Sequence, residues 1–126
     1  MHGVSLADCA ASTLRLIQET DHRSVGVTWD TGNLITMGRA ESWPRQLALL
    51  TPFIVHVHLK NALYGRNRWH RSSLESGAME DIAEQVLALR DTGYHGALVV
   101  EAPGLKDGRH AMAETDLKFL RGTLGA

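Results

Sequence analysis

The sequence predicts an α/β fold in which parallel strands alternate with helices, arranged as an open sheet or a barrel. Three observations support this prediction. Three short apolar runs alternate like strands, helical periodicity separates them, and each run ends near an ionisable residue. Right-handed helical crossovers are the usual way to join such parallel strands. With 126 residues and 44% hydrophobic content, the chain has the size of one ordinary domain, and we expect residues 1–126 to form one unit.

The first half of the chain predicts a helix, a strand and a short helix. Leu6, Ala10, Leu14 and Ile17 recur at helical spacing and predict a helix over residues 6–19. The run SVGVTWD at residues 24–30 predicts a strand that stops at Thr31-Gly32-Asn33. Ser42 as N-cap and Pro44 in the first turn then predict a short helix to about residue 50.

The second half repeats this order. FIVHVHLK at residues 53–60 predicts the second strand, and the polar residues 61–77 predict a connection long enough to be functional. Ile82 and Val86 lie at helical spacing in a predicted helix over residues 79–92, and Gly93 follows as its C-terminal cap. The remaining predicted elements are a strand ALVVE at residues 97–101, a turn at 102–104, and a last helix marked by Ala113, Leu117 and Leu120 that ends near Gly122.

Each predicted strand has an apolar face and a face that ends in a potential metal ligand. In the second strand one face carries Val55, Val57 and Leu59, and the other carries His56, His58 and Lys60. Asp30 and Glu101 end the other two strands in the equivalent way. Because the carboxyl ends of parallel strands meet at one edge, Asp30, His58 and Glu101 are predicted to converge as a site for a divalent metal.

The same residues also have a structural interpretation. An aspartate at a strand end often caps the next helix or turn, and a glutamate there can simply face water. Histidines in a strand are commonly core residues whose ring nitrogens have hydrogen-bond partners. The repetition of one geometry in three strands favours the metal site over these alternatives.

Charge and cysteine content narrow the classes of partner. The formal net charge is -1, which gives no global reason to expect nucleic acid or an anionic membrane as partner. The single cysteine, Cys9, fits a reducing compartment, and no stretch has the length and apolarity of a membrane span. We therefore expect a cytoplasmic protein.

Three segments, VGVTWDTGN, IVHVHLKN and GYHGALVVE, resemble in their order and spacing the C-terminal half of the sugar phosphate isomerase/epimerase superfamily. These are the xylose isomerase-like TIM barrels, which also include the endonuclease IV type of nuclease. The resemblance covers nearly the whole chain. It implies a partial (β/α)8 TIM barrel, roughly strands six to eight with flanking helices, as one partial domain over residues 1–126.

The resemblance also implies roles for individual residues. Asp30, His58 and Glu101 match metal ligands, and Glu101 also matches the residue that exchanges a proton with the substrate in sugar epimerases. His2 and Asn33 match residues of the substrate pocket, while His56 and Lys60 face the barrel interior by strand parity. The implied cofactor is a divalent metal ion: Mn²⁺, Zn²⁺, Mg²⁺ or Co²⁺.

The segment YGRNRWHR at residues 64–71 has two interpretations. Its Arg68 and His70 can bind sugar hydroxyls or a phosphate, since a guanidinium matches phosphate geometry, or the segment is a solvated loop. Arg68 also takes the position of an aspartate that binds additional zinc in the nuclease branch, which disfavours a nuclease.

The resemblance therefore implies a metal-dependent sugar or sugar-phosphate isomerase or epimerase that transfers a proton next to a carbonyl through an enediolate. The family's strand-five glutamate would fall just before Met1, so we expect a truncated form, and whether the chain alone is active stays open. The alternatives are a catalytically silent half-barrel association module and, more weakly, an endonuclease. We expect a small-molecule sugar or sugar phosphate as ligand, and a homo-oligomer or a missing N-terminal half-barrel as partner.

Overall fold

The computed structural model describes residues 6–21, 23–36, 38, 41–101 and 109–125, except the side chains of residues 109 and 110. Helices and strands alternate along most of this length, as the sequence predicts. The elements are α1 (Ala10–Thr20), β1 (Val27–Trp29), α2 (Thr31–Thr36), α3 (Trp43–Leu50), a 3-10 turn (Thr51–Phe53), β2 (Ile54–Leu59), β3 (Asn61–Gly65), β4 (Arg68–Ser72), α4 (Ile82–Asp91), β5 (Leu98–Val100) and α5 (Arg109–Leu124).

Strands β1, β2 and β5 form a parallel sheet in the order β1-β2-β5, with β2 at the centre. This arrangement confirms the predicted α/β class. Thr28 of β1 is opposite His56, and His58 is opposite Val99 of β5. Residues paired in this way point to the same face, so the histidines of β2 and their neighbours line one surface, here called the site face.

The helices cover the opposite face of the sheet. Trp29, Val57 and Leu59 are buried there, in one cluster with apolar residues of α3 and α4. Helix α1 packs against α3, and α4 packs against α5. This burial separates the apolar and ionisable faces that the two-residue period of the strands predicts. Within the described residues, none of the helices combines the length and apolarity that crossing a membrane requires.

The register of β1 against β2 contains an irregularity that the sequence pattern does not reveal. Val27 is opposite Ile54 and Thr28 is opposite His56, so Val55 is passed over. As a result Ile54 is buried and Val55 is 66% exposed, contrary to the prediction that Val55 shares the buried face of Val57. The histidine parity downstream is unaffected because the shift lies before His56.

The structure changes three details of the predicted local structure. Helix α1 starts at Ala10 rather than Leu6, because the backbone of Cys9 is extended and its side chain accepts a hydrogen bond from Ser12 N. The predicted strand stops before Thr31-Gly32-Asn33 as expected, and these residues begin the short helix α2, which the sequence pattern did not predict. The predicted polar connection over residues 61–77 contains the antiparallel hairpin β3-β4, whose turn holds Arg66 and Asn67 at positive φ.

The hairpin is anchored by Asn61, the buried first residue of β3. Its Nδ2 donates to Leu74 O at 2.8 Å and Glu80 O at 3.1 Å. Its Oδ1 accepts from Ala62 N at 3.0 Å and Met79 N at 3.1 Å. One side chain therefore ties together the start of the hairpin and the segment that leads into α4.

We expect Asn61→Ala to lower the free energy of unfolding by about 3 kcal/mol, because it leaves buried backbone groups without partners. Urea denaturation followed by circular dichroism measures this loss. Asn67→Gly serves as the control, since Asn67 is exposed and has a φ of 61°, which glycine adopts without strain. A loss for Asn61→Ala no larger than that of the control contradicts the anchoring role.

A second polar network joins α2 to α4 below the site. Gln85, fully buried, donates from Nε2 to Glu80 Oε2 at 2.5 Å and accepts from Thr31 Oγ1 at 3.1 Å. Burial raises the pKa of Glu80 above its ordinary value, against the opposing effect of hydrogen bonds from Thr31 and Gln85. The folded protein therefore holds the Glu80 proton to higher pH than the unfolded chain does.

We expect Glu80→Gln to raise the free energy of unfolding at pH 7, because it removes a desolvated charge while keeping an acceptor for Gln85. A raised folded pKa gives stability that is present at low pH and lost as pH rises through that pKa. The advantage of Glu80→Gln should therefore disappear at about pH 3, where Glu80 is protonated in both states. Urea titrations at both pH values test this, with Glu84→Gln on the exposed side of α4 as the charge-matched control. If the gain in the free energy of unfolding of Glu80→Gln persists at the lower pH, burial of the ionised carboxylate is not its cause.

Candidate metal centre

Asp30 connects the end of β1 to the start of α2 and is 2% exposed. Its Oδ1 accepts a hydrogen bond from the backbone N–H of Asn33 at 3.0 Å, as a capping residue does. Its Oδ2 accepts from Asn33 Nδ2 at 2.6 Å and faces the ends of β2 and β5. The carboxylate therefore combines both roles that the sequence allows, since one oxygen caps a helix and the other points to the candidate site.

His58 and Glu101 reach the same place from the neighbouring strands. His58 Nδ1 lies 3.8 Å from Asp30 Oδ2. Glu101 follows β5, and its backbone N–H donates to Leu59 O at 2.9 Å, which continues the parallel pairing by one residue. Asp30, His58 and Glu101 each offer one ligand atom, and these three atoms lie within 4.8 Å of one another.

The donor set fits a divalent metal ion. Metal–ligand bonds of about 2.1 Å place two donors of one ion at most about 4.2 Å apart. A pair of donor atoms at the 4.8 Å limit would therefore have to approach by about 0.6 Å to lie on opposite sides of one ion, and by more to lie at an angle to each other. Two carboxylates and an imidazole suit Mn²⁺, Zn²⁺, Mg²⁺ or Co²⁺.

Lys60 brings a positive charge into the cluster. Its Nζ lies 3.0 Å from Asp30 Oδ2, forms an ion pair with Glu101 Oε2, and donates to Asn33 Oδ1 at 2.7 Å. The lysine side chain is only 13% exposed. The cluster is therefore an arrangement of two carboxylates bridged by an ammonium group, with an imidazole beside it.

Lys60 also determines the protonation of Glu101. The hydrogen bond from Lys60 is the largest of the effects that lower the pKa of Glu101 below its ordinary value, and the charges of Lys60, His58 and Arg71 act in the same direction. Partial burial of Glu101 opposes them. Glu101 is accordingly a carboxylate at neutral pH, and its side chain, 39% exposed, remains accessible from the site face.

A second ion pair lies behind Glu101. Arg71 of β4 has Nη2 3.8 Å from Asp116 Oδ2 and donates from Nε to Met112 Sδ at 3.3 Å. Asp116 is fully buried in α5, and its Oδ1 accepts from Leu74 N at 2.7 Å. Burial lowers the pKa of Arg71, while Asp116 and then Glu101 raise it. Arg71 thus links the hairpin, α5 and the electrostatics of Glu101.

The structure brings together most of the residues that the sequence singles out. Around Asp30, His58 and Glu101 it places Asn33 and Lys60, and the ring of His56 lies edge-on to that of His58 with centroids 5.1 Å apart. Arg68 and His70 lie on β4: Arg68 is exposed, and His70 Nε2 is 2.9 Å from Gly65 O within the hairpin. His2 falls outside the described residues.

Asp116 is a neighbour of the site that the strand pattern does not identify. The available signal is its position between Met112 and Leu120 at helical spacing, which puts an acidic residue on the buried stripe of α5. Arg71, at the end of the YGRNRWHR segment, is the charge that accompanies it.

A parallel α/β sheet with covering helices and potential ligands at the carboxyl ends of its strands is an arrangement that TIM barrels and open α/β sheets share. Comparison with known families gives the assignment. The model of the family described as Xylose isomerase-like TIM barrel matches residues 1–123, and the chain belongs to this family. The family includes sugar isomerases and epimerases as well as endonuclease IV-like enzymes.

Similar proteins support the fold. A xylose isomerase domain protein from Planctomyces limnophilus has 20% sequence identity and a TM-score of 0.76, covering 90% of this chain and 43% of that one. A xylose isomerase-like TIM barrel protein from Mycobacterium smegmatis, solved in complex with magnesium, has 19% identity and a TM-score of 0.79, covering 98% of this chain and 42% of that one. The predicted resemblance and partial-barrel fold are confirmed at this level.

A curated relative is the uncharacterized protein MJ1311 of Methanocaldococcus jannaschii. It is 25% identical over 97 residues, which are 76% of this chain and 32% of that protein. The chain therefore spans about a third of this relative and less than half of the two solved structures.

Proposed function

We propose that Asp30, His58 and Glu101 bind a divalent metal ion and form the proton-transfer site of a sugar or sugar-phosphate isomerase or epimerase. The convergence of the three donor atoms within 4.8 Å is the observation that carries this proposal. Membership of the family and the magnesium complex of the Mycobacterium smegmatis protein support it. Among the described residues one group of three potential ligands converges, which favours a single-ion centre over the several-ion site of a nuclease.

The proposed reaction needs a base beside a carbon next to a carbonyl. A bound divalent ion supplies electrostatic stabilisation of the negative charge that develops on the substrate oxygens. Glu101 is ionised and accessible from the site face, so it can accept the proton and return it. His56, Asn33 and Lys60 line the same face and provide donors for substrate hydroxyl, carbonyl or phosphate groups.

Exposed apolar side chains in and next to the sheet support the second candidate, association between half-barrels. In the described sheet, β1 and β5 are the outer strands, and Val25, Val55 and Val99 are 40%, 66% and 37% exposed. We propose that these apolar side chains are covered by a second copy or by a separate half-barrel. Light scattering coupled to size exclusion measures the mass of the assembly, and a strictly monomeric chain at micromolar concentration contradicts the homo-oligomer.

We expect Asp30→Asn to weaken Mn²⁺ binding at least about 100-fold, because the amide keeps an acceptor for Asn33 N but loses the ligand charge. Isothermal titration calorimetry with Mn²⁺ measures the affinity, and circular dichroism confirms the fold. Asp91→Asn, which removes the same charge from an exposed residue at the end of α4, is the control. Equal affinity in the wild type and in Asp30→Asn excludes Asp30 as a ligand.

Solvent exchange tests the role of Glu101 without requiring a complete catalytic cycle. A single base that removes and returns a proton incorporates deuterium from D₂O next to the carbonyl. We expect such exchange into a ketose or ketose phosphate in the presence of Mg²⁺, detected by proton NMR. Glu101→Gln should lower its rate by about 10²–10⁴-fold.

Glu114→Gln is the matched control, because Glu114 is exposed on α5 and loses the same charge. The Glu114→Gln variant should catalyse deuterium exchange into the sugar at the wild-type rate. If Glu101→Gln and the wild type exchange equally, Glu101 is not the base. If metal binds but a panel of ketoses and aldoses shows no exchange with the wild type, the association module becomes the better interpretation.

A further inference from the structure

The side chain of Lys60 lies in a space of the cluster that fits it closely. Its stem passes over the first turn of α2, where a Cβ on Gly32 would come within 2.5 Å of Lys60 Cγ and 3.0 Å of Cδ. The missing side chain at Gly32 therefore leaves the space in which the lysine lies. At its far end, Nζ is held by Asn33 Oδ1 at 2.7 Å. The same Asn33 donates from Nδ2 to Asp30, so the amide orients both partners.

The ammonium group contacts the oxygen atoms that an ion would need. Asp30 Oδ2 is 3.0 Å from Nζ and 3.8 Å from His58 Nδ1, so this one oxygen faces both the lysine and the imidazole. Glu101 Oε2 is the other partner of Nζ. Metal bonds are shorter than these contacts, and an ion bound to the same oxygens repels a neighbouring ammonium at close range.

We propose that Lys60 is a tethered cation that competes with the divalent ion for Asp30 and Glu101, so that metal binding requires the ammonium to leave both carboxylates. This inference rests on the proposed function, since it concerns the affinity of the same site. It makes Lys60 a determinant of metal affinity. It also means that, without an ion, Lys60 offsets one of the two carboxylate charges of the cluster.

The main test compares Mn²⁺ affinity in three forms of the full chain by isothermal titration calorimetry at constant pH and ionic strength. Lys60→Met removes the competing charge while retaining an unbranched apolar stem of similar shape. We expect it to bind Mn²⁺ about tenfold more tightly than the wild type, because the ion no longer displaces an ammonium. Lys118→Met removes the same charge from an exposed position on α5 and should leave the affinity unchanged.

The possible results separate this inference from the proposed function. If Lys60→Met binds Mn²⁺ with the same affinity as the wild type, the competition is overturned. If it binds Mn²⁺ more weakly, the competition is also overturned, and the lysine instead holds the ligands in place. If neither form binds Mn²⁺ at millimolar concentration, the metal centre itself is refuted and the competition with it. Equal tightening in Lys60→Met and Lys118→Met also overturns the inference, because the effect is then one of net charge.

A crystal structure of the wild-type chain with Mn²⁺ tests the same point without a variant, and therefore holds even if Lys60→Met does not fold. Anomalous scattering locates the ion. We expect Lys60 Nζ to have moved beyond hydrogen-bond distance of both Asp30 and Glu101 when the ion is bound. An ion on Asp30 with the Lys60 contacts to both carboxylates retained contradicts the proposal.

Discussion

Two carboxylates that meet at the edge of a parallel sheet repel each other, and the surroundings of Asp30 and Glu101 are arranged to offset that repulsion. With oxygens within 4.8 Å of one another, two unit charges repel by about 3 kcal/mol at an effective dielectric of about 20. Lys60 lies between them and attracts both. The helix α2 begins next to Asp30 and donates a backbone N–H to it. The closeness of the two acids, which the proposed metal site needs, is thus compatible with a folded chain.

The position of the cluster follows from the sheet. Parallel strands bring their carboxyl ends to one edge, and the alternation of side chains places every second residue on the site face. Burial of Trp29, Val57 and Leu59 against the helices keeps this alternation from slipping, since a shift of one residue would exchange the two faces. The irregularity at Val55 lies before the histidines, and therefore leaves the register of His56 and His58 with β1 and β5 intact.

The local patterns explain why so much of this site is readable from the sequence. The face of the sheet on which His56, His58 and Lys60 lie follows from the two-residue period of a strand alone. The positions of Asp30 and Glu101 follow because they end strands that are short and strongly apolar. Other features depend on pairing between distant residues or on atypical conformations. The hairpin turn uses Arg66 and Asn67 at positive φ without glycine, so its residues give a weak turn signal. Helix α2 has glycine at its second position, and the partner of Arg71 is an acid on a different element, α5.

The same contacts that stabilise the chain oppose its proposed use. Lys60 fits the space over Gly32, is held by Asn33 and is paired with two carboxylates, so it offsets part of their charge. In the proposed competition, each of these contacts has to be given up before a metal ion can take its place. Lys60 also lowers the pKa of Glu101, which keeps this base ionised but makes it less basic. Release of the lysine would therefore free the ligands for an ion, so stability without metal and readiness to bind one are opposite demands on one side chain.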